Sequence, residues 1–242
     1  MNCYRDVKGV FRYFVDIESL PPSDDVRQQL SPAKVRKLLR ANPAQTNTSE
    51  EPPCTEEEFR QLALHPEYGR VLSVGIIIDR DGRRIKRKVL GYDKQSTSLH
   101  LDEAQILRDF WNLLKSFDIN RDLIVAHNGL SFDLPFLIKR SLINKIKPSV
   151  ALSLARYRTR PIYDTMQVWS EWNPRKYIML ADLADVLKVG VNKTEGMDGS
   201  KVYDQFCAGC HQEIAKYNYN DVVVLRAVYY AMEYPEGPAP EP

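Results

Sequence analysis

The run Phe11-Arg12-Tyr13-Phe14-Val15-Asp16-Ile17-Glu18 places two acids at the end of an aromatic, β-branched alternation. Successive side chains of a strand point to opposite faces. Phe11, Tyr13, Val15 and Ile17 therefore share one face, and Phe14, Asp16 and Glu18 the other. An ionised carboxylate beside an apolar strand is costly unless a proton, a partner or a cation compensates it. An exposed strand end would also explain a lone Asp-x-Glu, but the end of an apolar strand is where α/β sheets place functional groups.

Two further acids stand in equally awkward positions. Asp133 closes His127-Asn128-Gly129-Leu130-Ser131-Phe132-Asp133, near a predicted helix start, where serving the helix dipole or cap is the alternative. Asp221 interrupts the stripe Ile214, Tyr217, Val224, Leu225 and Val228, whose three-and-four spacing marks one buried helix face. Tyr217 lies one turn before it on the same side, so a buried hydrogen-bonded Tyr–Asp pair is the plainer alternative there. Taken together, four carboxylates are a hard-oxygen donor set suited to Mg²⁺ or Mn²⁺. A pair of such ions about 3.5–4 Å apart stabilises the attacking and leaving oxygens of an in-line phosphoryl displacement.

Outward from these segments the chain reads as strands early and helices between and after them. Pro21-Pro22, a basic helical segment over Val26–Leu39 and the polar stretch from Asn47 to Pro53 read as an insertion spanning about 20–60 that ends in a flexible loop. Thr55 and Glu58 form a capping box. Arg70–Ile78 and Arg84–Gly91 flank the hairpin turn Asp79-Arg80-Asp81-Gly82. Asp102 caps a helix carrying Ile106, Phe110, Leu113 and Leu114. A short buried strand over Asp122–Ala126 follows, then a helix from near Ser131, a weaker strand at Pro161–Thr165, helical patterns at Met166–Glu171 and Leu180–Leu187, a turn at Asp198-Gly199-Ser200, and a long helix over Gln212–Met232. The pattern predicts an α/β fold with a mixed central sheet flanked by helices, one domain over 1–232 and a disordered Pro-rich tail over 233–242.

Among 242 residues, 34 basic and 32 acidic side chains leave a net charge of +2, so attraction to nucleic acid must come from local patches. Arg83–Lys88 fits phosphate tracking or the charge protection of an edge strand; Arg156-Tyr157-Arg158-Thr159-Arg160 interleaves an aromatic ring with cations. No apolar run approaches the roughly 18 residues of a membrane span, and no apolar leader opens the chain. The expectation is a cytoplasmic protein without a membrane partner. Cys207-Ala208-Gly209-Cys210-His211 matches a haem-attachment spacing, but without a secretory signal it reads as a helix–helix connection with no haem.

Asp16-x-Glu18, Asn128-x3-Phe132-Asp133 and Tyr217-x3-Asp221 together resemble the three motifs of the DEDD superfamily of 3′–5′ exonucleases, in the subclass with a tyrosine in the third motif. The chain is most similar to stand-alone relatives of the proofreading exonuclease domain of family B DNA polymerases, and Tyr163-Asp164-Thr165-Met166 and Gly196–Ser200 share that likeness. The resemblance implies a ribonuclease H-like fold and metal-dependent release of nucleoside monophosphates from a single-stranded or frayed 3′ end, of DNA in preference to RNA. It implies that two Mg²⁺ or Mn²⁺ ions are held by Asp16, Glu18, Asp133 and Asp221. Asp16 would bridge them, Asp133 would act mainly through water, and Tyr217 would orient the attacking water. Ser19, Leu20, Asn128 and Phe132 would hold the terminal nucleotides. RNA 3′-end trimming and a noncatalytic nucleic-acid-binding module are the alternatives.

Overall fold

The computed structural model describes residues 9–39, 53–191 and 196–234. Its strands are β1 (Phe11–Leu20), β2 (Arg70–Arg80), β3 (Arg83–Leu90), β4 (Tyr92–Asp93), β5 (Ser98–Leu99), β6 (Leu123–Ala126) and β7 (Ile162–Asp164). Its α-helices are α1 (Asp24–Gln29), α2 (Pro32–Leu39), α3 (Glu56–Gln61), α4 (Glu103–Leu113), α5 (Asp133–Ile143), α6 (Thr165–Trp169), α7 (Leu180–Val186), α8 (Val202–Cys207) and α9 (His211–Glu233). The main sheet runs β3-β2-β1-β6-β7, with β1 antiparallel to β2 and parallel to β6. The mixed sheet follows directly from a hairpin adjoining the first strand.

The alternation read in β1 divides the core. Tyr13, Val15 and Ile17 pair with Ile78, Ile76 and Val74 and face Ile106 and Phe110 of α4 and Leu134 and Leu137 of α5. Phe14 and Ile77 face the other layer, where α7 contributes Leu183 and α9 contributes Val224, Leu225 and Val228. Asp16 and Glu18 lie on this second face, opposite Gly75 and Ser73 of β2. A methyl group on Gly75 would stand 2.7 Å from the Asn218 carbonyl of α9. The missing side chain therefore lets the long helix lie directly on the sheet beside the two acids.

Several local expectations change. Val26–Leu39 is two helices and not one: Leu30 is extended, and Pro32, which lacks an N–H and disfavours a helical residue before it, starts α2. The hairpin turn is Asp81-Gly82 alone, both with positive φ, and β2 continues to Arg80. Asp79 is fully buried, accepting from Arg226 Nε at 2.7 Å and from the Tyr230 hydroxyl at 3.0 Å, which ties the far end of β2 to α9. The capping box at Thr55 and Glu58 forms, and Asp102 caps α4. The expected loop over 47–53 lies mainly, and the Pro-rich tail almost wholly, outside the described residues. No helix among the described residues is long and apolar enough to cross a membrane.

If Gly75 sets the approach of α9, Gly75→Ala should destabilise the protein by about 1–3 kcal/mol, the usual cost of overpacking. Chemical denaturation measures this; an unchanged midpoint and slope would contradict the close-approach argument.

Candidate active site

The site forms where β1 outruns β6. The two strands pair only from Arg12 to Phe14, so the later amides of β1 on that side find other partners. Ile17 N–H, between the two acids, donates to Asp133 Oδ1 at 3.0 Å. Asp133 is the first residue of α5, and the loop that delivers it is held from β7. Asp164 Oδ1 accepts from Asn128 N–H at 3.0 Å and Gln167 N–H at 3.1 Å, and its Oδ2 from Leu130 N–H at 3.0 Å. Gly129 fits this loop because any Cβ there would collide with Ala126 Cβ.

The third element arrives from α9. Asn218 is fully buried; its Oδ1 accepts from Ser73 Oγ at 3.1 Å, and its Nδ2 donates to Asp16 Oδ2 at 2.8 Å. One turn later Asp221 completes a group in which one oxygen each from Asp16, Glu18 and Asp221 lie within 4.8 Å of one another. Asp133 adjoins this triad across the Ile17 amide. Tyr217 is buried and its hydroxyl is hydrogen-bonded to Asp221.

Crowding of carboxylates sets the electrostatics. Burial, then the charges of Asp133, Glu18 and Asp221, holds the Asp16 carboxyl well above the ordinary carboxylate range, against a lowering hydrogen bond from Asn218. Asp133 is pushed up to about 7, chiefly by burial and opposed by the Ile17 N–H. Burial and the charges of Glu18, Asp221 and Asp16 raise the Tyr217 hydroxyl further above its usual value. Tyr217 can thus orient a neighbour through its hydroxyl, but it is not a phenolate base near neutral pH.

A family model described as a predicted 3′–5′ exonuclease related to the exonuclease domain of PolB matches residues 58–239. The chain belongs to this family. Among solved structures it is similar to the family B DNA polymerase from the hyperthermophilic archaeon Pyrobaculum calidifontis, with a TM-score of 0.57 and 16% identity over 93% of this chain and 25% of that one. That likeness is one of fold, a mixed sheet flanked by helices; the chain spans a quarter of the polymerase's length. No curated protein matches the chain.

The exonuclease-family match begins beyond β1, so Asp16 and Glu18 join the site through geometry alone. The nucleotide-contact candidates occupy different surroundings. Between Glu18 and Ser19 the β1–β2 register shifts, skipping Leu72, and such a bulge re-aims the side chains after it. Leu20 is buried among Leu72, Ile214 and Tyr217, on the side of the sheet that carries the acids, and Ser19 Oγ donates to the Ala63 carbonyl at 2.8 Å. Phe132 is partly exposed and packs against Phe136 with ring centroids 5.5 Å apart. Asn128 has φ 64°, and its Oδ1 has no hydrogen-bond partner among the described residues.

Asn218 and Asp164 are the contributors that motif reading passes over as site residues, although Asn218, three before Asp221, is a visible polar break in the same helical face. Arg156, from the second basic cluster, reaches Tyr177 OH at 3.2 Å, and Tyr177 OH accepts from Gln167 Nε2 at 2.6 Å, beside the Asn128–Asp133 loop. Arg160 instead donates to the Arg121 carbonyl. Cys207–His211 joins α8 to α9; His211 stacks on Phe206, and its Nδ1 accepts from Leu99 N–H at 3.2 Å.

Asp133 carries a sign prediction. Its folded value of about 7 exceeds the usual unfolded value of about 3.9, so ionising it costs folding stability, and that cost appears as pH rises from about 4 to about 7. With chelator present, Asp133→Asn should melt above wild type at pH 8 and level with it near pH 4. An equal gap at both pH values, or a lower melting temperature for the variant at pH 8, would contradict this.

Proposed function

We propose that the protein is a two-metal-dependent 3′–5′ exonuclease that removes nucleoside monophosphates from single-stranded or frayed DNA 3′ ends in the cytoplasm. The convergence of Asp16, Glu18 and Asp221, with Tyr217 against them and Asp133 one amide away, carries the reading. The donor set fits Mg²⁺ or Mn²⁺: every candidate ligand is a carboxylate, and burial followed by mutual repulsion raises Asp16, a repulsion that a divalent cation relieves. Asp16, Glu18, Asp133 and Asp221 would hold the ions. Divalent ions bound there would supply charge stabilisation to an in-line displacement at phosphorus.

The remaining work falls to the chain. Tyr217 directs its hydroxyl at the attacking water and stays protonated, which makes it a positioning group. Asn218 fixes the Asp16 oxygen, and Asp164 fixes the loop that carries Asn128, Phe132 and Asp133. The buried Asn128 Oδ1, without a hydrogen-bond partner among the described residues, is a spare acceptor beside Asp133, and the partly exposed Phe132 ring offers the terminal nucleotide an apolar edge. A 3′ end that is to reach these buried carboxylates must be single-stranded or frayed. The relation of the family to a DNA polymerase's exonuclease domain supports DNA as the substrate.

With Mg²⁺ or Mn²⁺ and 5′-labelled single strands, the purified protein should yield a ladder shortened from the 3′ end, absent with chelator and reduced at least about a thousandfold in Asp16→Ala. Tyr217→Phe should lower kcat by about ten- to a hundredfold with little change in metal affinity. Matched RNA cleaved faster than DNA would reassign the backbone; intact substrates under every condition, with folding verified, would overturn the enzyme reading.

A further inference from the structure

The same turn of α9 that aims Tyr217 at the carboxylates aims Lys216 and Tyr219 the other way, toward the sheet edge. There the helix, β3 and β4 enclose a groove of about 570 Å³. Arg87 and Lys88 of β3, Lys94 just past β4 and Lys216 of α9 line it, with the rings of Tyr92 and Tyr219, and no carboxylate lines it among the described residues. All four cations are exposed, and none has a carboxylate partner among the described residues. Two acids adjoin the lining in sequence without lining it: exposed Glu213 beside Gln212, and Asp93, which is turned into its own loop, accepting from Gln95 N–H at 3.0 Å and Ser96 Oγ at 2.8 Å. Arg87 is held over Tyr219, its guanidinium 5.8 Å from the ring centroid and its Nη1 donating to the hydroxyl at 3.4 Å.

Protection of an edge strand accounts for the charges on β3. It does not account for Lys94 and Lys216, which come from two other segments and converge on the same space. Four unpaired cations drawn together without an acid repel one another, and a polyanion relieves that repulsion. On the same face of β3, the basic side chains continue from Arg87 to the half-buried Arg84 beyond the groove, which suits an extended anion better than a small one.

We propose that this groove is a second nucleic-acid site, holding the phosphate backbone of a stretch of polynucleotide remote from the carboxylate cleft. The inference rests on the exonuclease reading for its choice of polyanion. One helix diameter, about 10–12 Å, separates the two faces of α9, so at about 3.4 Å per nucleotide a dinucleotide seated at the carboxylates does not span both. Long strands gain the additional phosphate contacts and short ones do not.

The test measures binding first. In an Asp16→Ala background, anisotropy of labelled single-stranded DNA of about 30 and about 2 nucleotides is compared with and without Arg87→Glu plus Lys94→Glu, folding being checked by thermal melting, with Lys94→Gln as a milder second variant. The double variant should bind the long strand at least about tenfold more weakly, with a shallower salt dependence, by about 0.7 in log–log slope per lost phosphate contact. Affinity for the short strand, and its cleavage when Asp16 is intact, should be unchanged. Equal affinity for the long strand would overturn the inference, as would a loss confined to binding of a poly-glutamate peptide, which assigns the groove to an acidic protein partner. Groove-dependent binding by a wild-type protein that cleaves neither DNA nor RNA would overturn the exonuclease reading and leave the groove standing.

Discussion

Everything at the site depends on how closely α9 can lie on β2. Opposite Asp16 the sheet has Gly75, and opposite Glu18 it has Ser73, the two smallest side chains along that part of the strand. The helix backbone at Asn218 fills the space a side chain would take, and Asn218 uses both ends of its amide, one toward Ser73 and one toward Asp16. From that contact the helical repeat determines the rest: Tyr217 and Asp221 must face the acids, while Lys216 and Tyr219 must face away. At the other end of the helix, the buried Arg226–Asp79 pair and the Tyr230 hydroxyl keep it from sliding along the sheet.

The same contact creates the electrostatic tension of the site. Asp16, Glu18, Asp133 and Asp221 come from three elements widely separated in sequence, and packing forces them into one partly dry region. A protein without function there would replace such acids or pair each with a cation. Here the partners that the structure supplies to Asp16 and Asp133 are an amide and a backbone N–H, which orient a carboxylate without neutralising it. Orientation with residual negative charge is what metal-assisted phosphodiester hydrolysis requires of its ligands.

Much of this was legible in the sequence because periodicity is local. The alternation of β1 gave the face of Asp16 and Glu18, and the three-and-four spacing of α9 gave the shared side of Tyr217 and Asp221. What escaped depends on partners far along the chain. Asp79 reads as a turn residue until Arg226, 147 positions later, is folded against it. Leu20 packs on Tyr217, which itself lies against the acids, while the bulge after Glu18 shifts the β1–β2 pairing by one residue, the kind of slip that no single-strand pattern reveals. Asp164 looks like a helix cap, which it is, and only the crossing of β7 beside β6 lets it also clamp the Asn128 loop. The break between α1 and α2 was visible in Pro32 and was outweighed by the basic amphipathic pattern around it.

We propose that these carboxylates hold a pair of divalent ions. A crystal of the protein grown with Mn²⁺ and a nucleoside monophosphate, with anomalous diffraction measured at the manganese edge, tests it most directly. Two anomalous peaks about 3.5–4 Å apart are expected beside Asp16, one of them also contacting Glu18 and Asp221. An ordered nucleotide with no anomalous peak at these residues, or peaks only elsewhere on the surface, would contradict it.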